Sequence, residues 1–388
     1  MILDSIIFEL SVIIVGAAVL GTLFLYAKQP IIVAYIALGI AVGPSGLELI
    51  NETEHIEQIS HLGIVLLLFL IGLNLQPAKL MGLFRETSLL TLATSILFGF
   101  VAFVFAMLLG FSLYSSLLFG AAMMFSSTIV GLKLIPITTL HHRRTGEVMT
   151  SVLLLQDMLA ILVILFIAGE TSDYVIMTFA ILAGKFTLLC LLSYAGVRFL
   201  MIPLLTKFDV IQEYTFVATL GWCLFWAGTA QIAGLTYEIG AFVAGLSIAS
   251  CRVALAIAEH LKPLREFFLI LFFFAVGSNL NLGLSPVLMI SAIIFGVTLV
   301  PLKVWVFRFA FQKSGESIAM SRELAVRLGQ SSEFSLLVAY SALSIGVMTA
   351  EEAMVIQFAT IATFIVSTYW VVLRYPTPIS EGPDLHQD

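Results

Sequence analysis

Thirteen apolar stretches recur along the chain, near residues 5–26, 30–43, 61–76, 88–110, 114–135, 149–169, 174–197, 213–232, 237–250, 265–281, 286–311, 323–346 and 352–373. A helix needs about 20 apolar residues to cross bilayer hydrocarbon, and most of these stretches supply them. The second, third and ninth are short, so neighbours must cover their ends. Hydrophobic residues make up 60% of the chain and charged residues 11%, against about 25% charged in a soluble domain. No soluble fold of 388 residues could hide that much apolar surface. The expected fold class is an all-α polytopic membrane protein of about 13 transmembrane helices.

Loop charge orients these spans. Lys28, Lys79, Arg85, Lys133, Arg143, Arg144, Arg198, Lys207, Arg252, Lys262, Arg265, Arg308, Lys313, Arg322, Arg327 and Arg374 follow odd-numbered spans or lie at their edges. Loops after even-numbered spans hold acids such as Glu52, Glu170 and Glu351 and no Lys or Arg. Basic residues stay on the cytoplasmic side, so the N-terminus is expected outside, the C-terminus inside, and the protein in the plasma or inner membrane. The alternation also supports the count of spans, because one missed helix would invert every loop after it. Residues 374–388 are polar, contain proline and read as a disordered cytoplasmic tail. The net charge of −6 argues against a nucleic-acid partner. Cys190, Cys223 and Cys251 have neither metal spacing nor a paired framework. No cofactor is expected, and no nucleophile–base pair or metal cluster suggests an enzyme. A cleavable signal peptide is not evident: the first stretch carries Asp4 and Glu9 and lacks a basic lead.

The third and tenth spans resemble each other. Leu66-Leu67-Leu68-Phe69-Leu70-Ile71-Gly72-Leu73-Asn74-Leu75 aligns with Leu271-Phe272-Phe273-Phe274-Ala275-Val276-Gly277-Ser278-Asn279-Leu280 at an offset of 205 residues, from Gly72 to Gly277. That offset also carries Ser126-Ser127-Thr128 onto Ser331-Ser332-Glu333. Seven spans separate the pairs. Seven is odd, so the halves run in opposite orientations. Inverted repeats with a midplane site between interrupted helices are a transporter architecture. The expected organisation is a transport domain over 1–373, with repeats at about 1–170 and 213–373 and a linker helix at about 174–197.

Few charges fall inside spans. Asp157 lies mid-span in Leu155-Gln156-Asp157-Met158. A central ionisable residue costs about 2.5–3.5 kcal/mol to insert, which makes it a functional candidate by default. Its carboxylate can hold a proton or a hard monovalent cation, but not both tightly, so each expels the other. Phe125-Ser126-Ser127-Thr128 and Gly329-Gln330-Ser331-Ser332-Glu333 place hydroxyls in apolar spans. Helix–helix hydrogen bonding would account for either alone. As repeat mates they suggest two interrupted helices, since irregular backbone at depth must line a cavity or be buried in protein. Lys303 sits inside span eleven and could neutralise Asp157 when no cation is bound. Glu333 could pair with a basic group or share in transport. Lys185 lies mid-span with no evident partner. His141-His142-Arg143-Arg144 reads better as a solvated basic loop than as a pH sensor.

At these positions the chain resembles the second large branch of cation:proton antiporters, above all the membrane domain of Kef-type potassium efflux systems. The resemblance rests on Gly72-Leu73-Asn74-Leu75-Gln76-Pro77, Ser126-Ser127-Thr128, Leu155-Gln156-Asp157, Gly240-Ala241-Phe242-Val243-Ala244-Gly245, Phe273-Phe274-Ala275-Val276-Gly277, Lys303 and Gly329-Gln330-Ser331-Ser332-Glu333-Phe334. It implies two crossed, partly unwound helices, a dimerisation domain, a homodimer and elevator-type alternating access. It implies Asp157 as the ion-binding carboxylate, Gln156 as its neighbour and Lys303 as its basic partner. Ser126, Ser127, Thr128, Ser331 and Ser332 become further ion-site candidates. Gln156, where some relatives carry a second acid, favours electroneutral exchange and potassium over sodium. Kef-type proteins continue into a nucleotide-binding regulatory domain. This chain ends at Asp388 without a Gly-rich βαβ segment, so nucleotide or glutathione gating is not carried over, and regulation would need a cytosolic domain or subunit outside it. A channel would want a filter sequence, and an organic-anion symporter more basic groups in the spans.

Overall fold

The computed structural model describes residues 6–27, 29, 31–50, 54–74, 77–134, 144–168, 175–208, 211–249, 251, 254–280 and 285–375. His141–Arg143, Leu75, Gln76 and residues 376–388 lie outside them. The described elements are helical: α1 (Ile6–Tyr26), α2 (Ile31–Val42), α3 (Glu54–Asn74), α4 (Pro77–Leu108), α5 (Leu113–Met123), α6 (Thr128–Lys133), α7 (Arg144–Ala168), α8 (Val175–Gly196), α9 (Gln212–Ile232), α10 (Tyr237–Ile248), α11 (Ala254–Ser278), α12 (Pro286–Lys313), α13 (Ile318–Arg327), α14 (Glu333–Ser344) and α15 (Ala350–Arg374). Among the described residues, seven segments are long and apolar enough to cross a membrane unaided. Shorter apolar helices such as α2, α5, α10 and α14 make up further apolar stretches.

Several boundaries differ from the sequence expectation. The stretch at 174–197 does not stop at Arg198. It continues through a π turn, Val197–Met201, into a further helical turn, Ile202–Lys207. Pro203, which has no N–H to donate, falls just after that π turn. α3 begins at Glu54 rather than near 61, α7 at Arg144 rather than near 149, and α11 at Ala254 rather than near 265. The stretches at 114–135 and 323–346 are each two helices with a break between them.

Two compact units make up the chain. One comprises Met1–Asn51, Gly82–Val163 and Val276–Asp388; the other comprises Glu52–Met81 and Ile164–Ala275. In the second unit α10 packs against α3, α8 and α9. Gly72 of α3 allows its backbone to approach α10, because a Cβ there would overlap the Phe242 carbonyl. Close approach through small residues drives helix association in lipid, where apolar burial gives no advantage.

In the first unit α1 packs on α2, α12 on α13 and α15, and α14 on α5 and α15. Leu90, Phe98, Val152, Leu153, Phe307 and Leu324 bring α4, α7, α12 and α13 around one apolar cluster. Local chemistry sets the helix ends. Ser112 caps α5 by accepting from Ser115 N, Ser317 caps α13 by accepting from Met320 N, and Thr349 with Glu352 forms a reciprocal capping box at α15. This unit holds the two broken helices, α5/α6 and α13/α14.

Candidate ion-binding site

Each break frees backbone groups that must find partners in a medium without water. Between α5 and α6 the chain runs Met124-Phe125-Ser126-Ser127. Ser126 N–H donates to Gln156 Oε1 on α7 at 3.0 Å. Ser127 Oγ accepts from Val130 N at 3.0 Å and so starts α6. Between α13 and α14, Ser331 N–H donates to Thr363 Oγ1 on α15 at 2.9 Å. Ser332 Oγ accepts from Phe334 N at 3.1 Å and starts α14.

The two breaks also grip each other. Ser126 Oγ donates to Leu328 O at 2.8 Å, Gln330 Nε2 to Ser127 O at 3.3 Å, and Ser335 Oγ to Ala122 O at 2.6 Å. Ser367 of α15 donates to Gln330 Oε1 at 2.8 Å. Lys303, fully buried on α12, donates from Nζ to Phe125 O at 2.6 Å and to Gln330 O at 3.3 Å. Its ammonium also lies over the Phe98 ring at 5.3 Å. One cation thus serves a carbonyl from each break.

Asp157 is 2% exposed on α7, one residue beyond Gln156. Thr128, the first residue of α6, donates its hydroxyl toward both carboxylate oxygens, at 3.2 and 3.1 Å. The acid therefore stands at the start of α6, where amide N–H groups lack intrahelical acceptors. Glu333, 4% exposed, is the first residue of α14.

The structure thus assembles Asp157, Gln156, Ser126, Ser127, Thr128, Lys303, Ser331, Ser332 and Glu333 around two breaks, but their immediate contacts are specific. Thr128 touches Asp157. Gln156 spends its carbonyl oxygen on Ser126 N–H and its amide nitrogen on Ser95 Oγ at 3.3 Å. Ser126, Ser127 and Ser332 hold backbone. Lys303 was expected beside Asp157, yet no ion pair joins them in this conformation; its ammonium lies on the two carbonyls. Ser331 Oγ is buried with no hydrogen-bond partner. Lys185 is exposed on α8.

Sequence reasoning passed over Thr363 and Ser367, which brace the second break. The signal available was the spacing of Thr360, Thr363 and Ser367 along one face of an apolar helix. It also passed over Arg327, which donates to Leu134 O at 2.6 Å and pairs with Glu323 at 2.9 Å, tying the end of α6 to α13.

Comparison with known proteins places this arrangement. The family model described as "Sodium/hydrogen exchanger, transmembrane" matches residues 11–373. K(+) efflux antiporter 5 of Arabidopsis thaliana is 27% identical over 392 residues, covering 96% of this chain and 67% of that protein. The glutathione-regulated potassium-efflux system protein KefC of Klebsiella pneumoniae is 29% identical over 356 residues, 88% of this chain and 56% of its own length. The chain spans about half to two thirds of such relatives. The sodium proton antiporter MjNhaP1 from Methanocaldococcus jannaschii superposes with a TM-score of 0.66 at 16% identity, covering 97% of this chain and 99% of that one, a likeness of fold. With its helices, its paired breaks and a family match along nearly its whole length, this multi-pass membrane protein belongs to the sodium/hydrogen exchanger family.

Proposed function

We propose that the protein is a secondary transporter that exchanges a monovalent cation for a proton, potassium in preference to sodium, with Asp157 as the group both ions share. The carrying observation is a buried carboxylate, held by Thr128, at the start of α6 beside two cross-linked helix breaks. A carboxylate in that setting binds one positive partner at a time, so arrival of a cation releases the proton and the reverse. Glu333, buried at the start of α14, is the second acid of the reading. Ser331 Oγ, lacking a hydrogen-bond partner, is an oxygen free to replace a water of hydration. Lys303 Nζ is occupied by the Phe125 and Gln330 carbonyls, which leaves Asp157 to exchange its proton for the cation.

Gln156 is neutral, which leaves the acid pair of some relatives incomplete and favours one-for-one, electroneutral exchange. The efflux antiporters among the relatives carry potassium in their names and support that cargo; sodium is the alternative.

Two inverted repeats, about 1–170 and 213–373 joined by a helix at about 174–197, are part of the same reading. Three observations support them. The motif offset of 205 residues recurs. Each break is capped by a serine and braced by a side chain from the following long helix. Gly72 of span three meets α10, span nine, while Gly277 of span ten meets α2, span two, at Ile36. Elevator-type alternating access, a homodimer, a regulatory cytosolic domain or subunit, and a plasma- or inner-membrane location with the N-terminus outside and the C-terminus cytoplasmic complete the proposal.

Dye-reported proton flux in proteoliposomes tests it, with potassium, sodium and lithium added in turn under clamped voltage. Potassium-driven flux that vanishes in Asp157→Asn is the expected result. Flux that survives the substitution removes Asp157 from the mechanism, strong voltage dependence overturns electroneutrality, and conductance without proton movement makes the protein a channel.

A further inference from the structure

α6 is the element of the ion site least able to hold itself. It spans six residues, Thr128–Lys133, and a helix that short has no stability of its own. Its place is set by what grips its ends. At the start, Ser127 Oγ accepts from Val130 N and Thr128 donates to Asp157. At the far end Leu134 closes the last turn, its N–H donating to Val130 O at 3.3 Å. The last carbonyls of a helix have no intrahelical donor. Leu134 O finds one in Arg327 Nη1 at 2.6 Å, 193 residues along the chain. A cation there also faces the negative end of the α6 dipole.

Arg327 is itself held from several sides. It is the last residue of α13, and its side chain is 0% exposed. Glu323, one turn earlier, accepts on a single oxygen, Oε1, from Nε at 3.0 Å and from Nη2 at 2.9 Å. The ring of Tyr375, directly after α15, lies 5.6 Å from the guanidinium carbon, within cation–π range. Carboxylate, carbonyl and ring thus fix a planar cation whose donors have a rigid spread. Three residues on, Gln330 Nε2 donates to Ser127 O, just before α6. The chain around the second break therefore grips α6 at both ends.

We propose that Arg327 is a positioning residue of the ion site: by fixing the end of α6 it sets the Thr128 hydroxyl against Asp157. The inference rests on Asp157 as the group that exchanges the two ions. Arg327 has its hold on Leu134, roughly 9 Å along the helix from Thr128, so it acts through α6. Mere burial of a satisfied arginine would stabilise the fold without tuning the site, and the two roles separate by experiment.

The test uses the purified full chain. Proteoliposome flux, normalised to folded protein, gives the potassium concentration for half-maximal exchange. Deuterium exchange over residues 126–134 reports how firmly α6 is held. Thr128→Val should raise half-saturation about tenfold, the weight of one hydrogen bond to a charged group. Arg327→Met should reproduce that rise and speed deuterium exchange over 126–134. The double variant should be no worse than Thr128→Val alone, because no hydroxyl remains to be misplaced. Arg327→Lys keeps one donor for Leu134 O without the fork for Glu323, so its rise should be smaller, about threefold. An Arg327→Met protein with unchanged half-saturation overturns the proposal, as does a double variant in which the two effects multiply. Should Arg327→Met fail to fold, Arg327→Lys with and without Thr128→Val decides by the same comparison. Flux that survives Asp157→Asn overturns the exchange reading and, with it, a role for Arg327 at that site. Flux abolished by Asp157→Asn, with deuterium exchange over 126–134 unaltered by Arg327→Met, overturns the Arg327 inference alone.

Discussion

The break between α5 and α6 and the break between α13 and α14 solve one backbone problem with the same parts. Each has a serine that caps the following helix, an amide satisfied by a neighbouring long helix, and a carbonyl held by Lys303. They differ in the groups left over. The first break directs Thr128 at an acid carried by another helix, Asp157. The second carries its own acid, Glu333, and leaves Ser331 Oγ without a hydrogen bond. The shared parts are scaffold, and the unshared ones are where ion chemistry can reside.

Substitutions that separate scaffold from chemistry break or sharpen that comparison. The largest contrast is between the acids. Asp157→Asn should abolish proton-coupled flux with the fold intact, while Glu333→Gln should keep exchange at lower apparent cation affinity; flux assays over a range of potassium concentrations measure both. If the two lose flux equally, the breaks are chemically equivalent after all. Lys303→Met strikes both breaks at once. Each buried carbonyl left unpaired costs about 1–3 kcal/mol, so its unfolding temperature, read by tryptophan fluorescence, should fall further than that of any variant touching one break.

Gln156→Leu and Thr363→Val each leave one break amide without its partner, again at about 1–3 kcal/mol. Equal stability losses would mark them as equivalent braces, and Thr363→Ser should restore the second. Flux normalised to folded protein should drop more for Gln156→Leu, whose neighbour is Asp157. The smallest effects belong to the serines. Ser127→Ala and Ser332→Ala should each lose about 1 kcal/mol as helix caps. Ser331→Ala should lose almost no stability, because its oxygen makes no bond to lose, yet weaken potassium-driven flux. A stable Ser331→Ala with unchanged potassium dependence removes that oxygen from the ion site.

Much of the site was legible before the fold. Asp157 stands out because an ionisable group in an apolar span is expensive wherever its neighbours lie. The serine pairs stand out through their common offset. Lys303 was legible as a buried cation, but its partners were not, since backbone carbonyls leave no mark in a sequence. Thr363 looked like an ordinary helix hydroxyl, and it does donate to Thr360 O at 2.7 Å. Only packing shows that its oxygen also accepts from Ser331. The span at 174–197 was bounded by its apolar run, whereas the helix continues through a π turn past Arg198 to Lys207.

The sequence by itself determined that the chain is helical and built for a membrane, and marked the residues costly to bury there, because transfer energies and helix lengths are local properties. The tertiary structure decided which of those residues hold backbone and which do not. That choice depends on contacts such as Lys303 to Phe125, 178 residues apart, and Ser126 to Leu328, 202 apart, which arise only when the two breaks pack against each other in the buried interior.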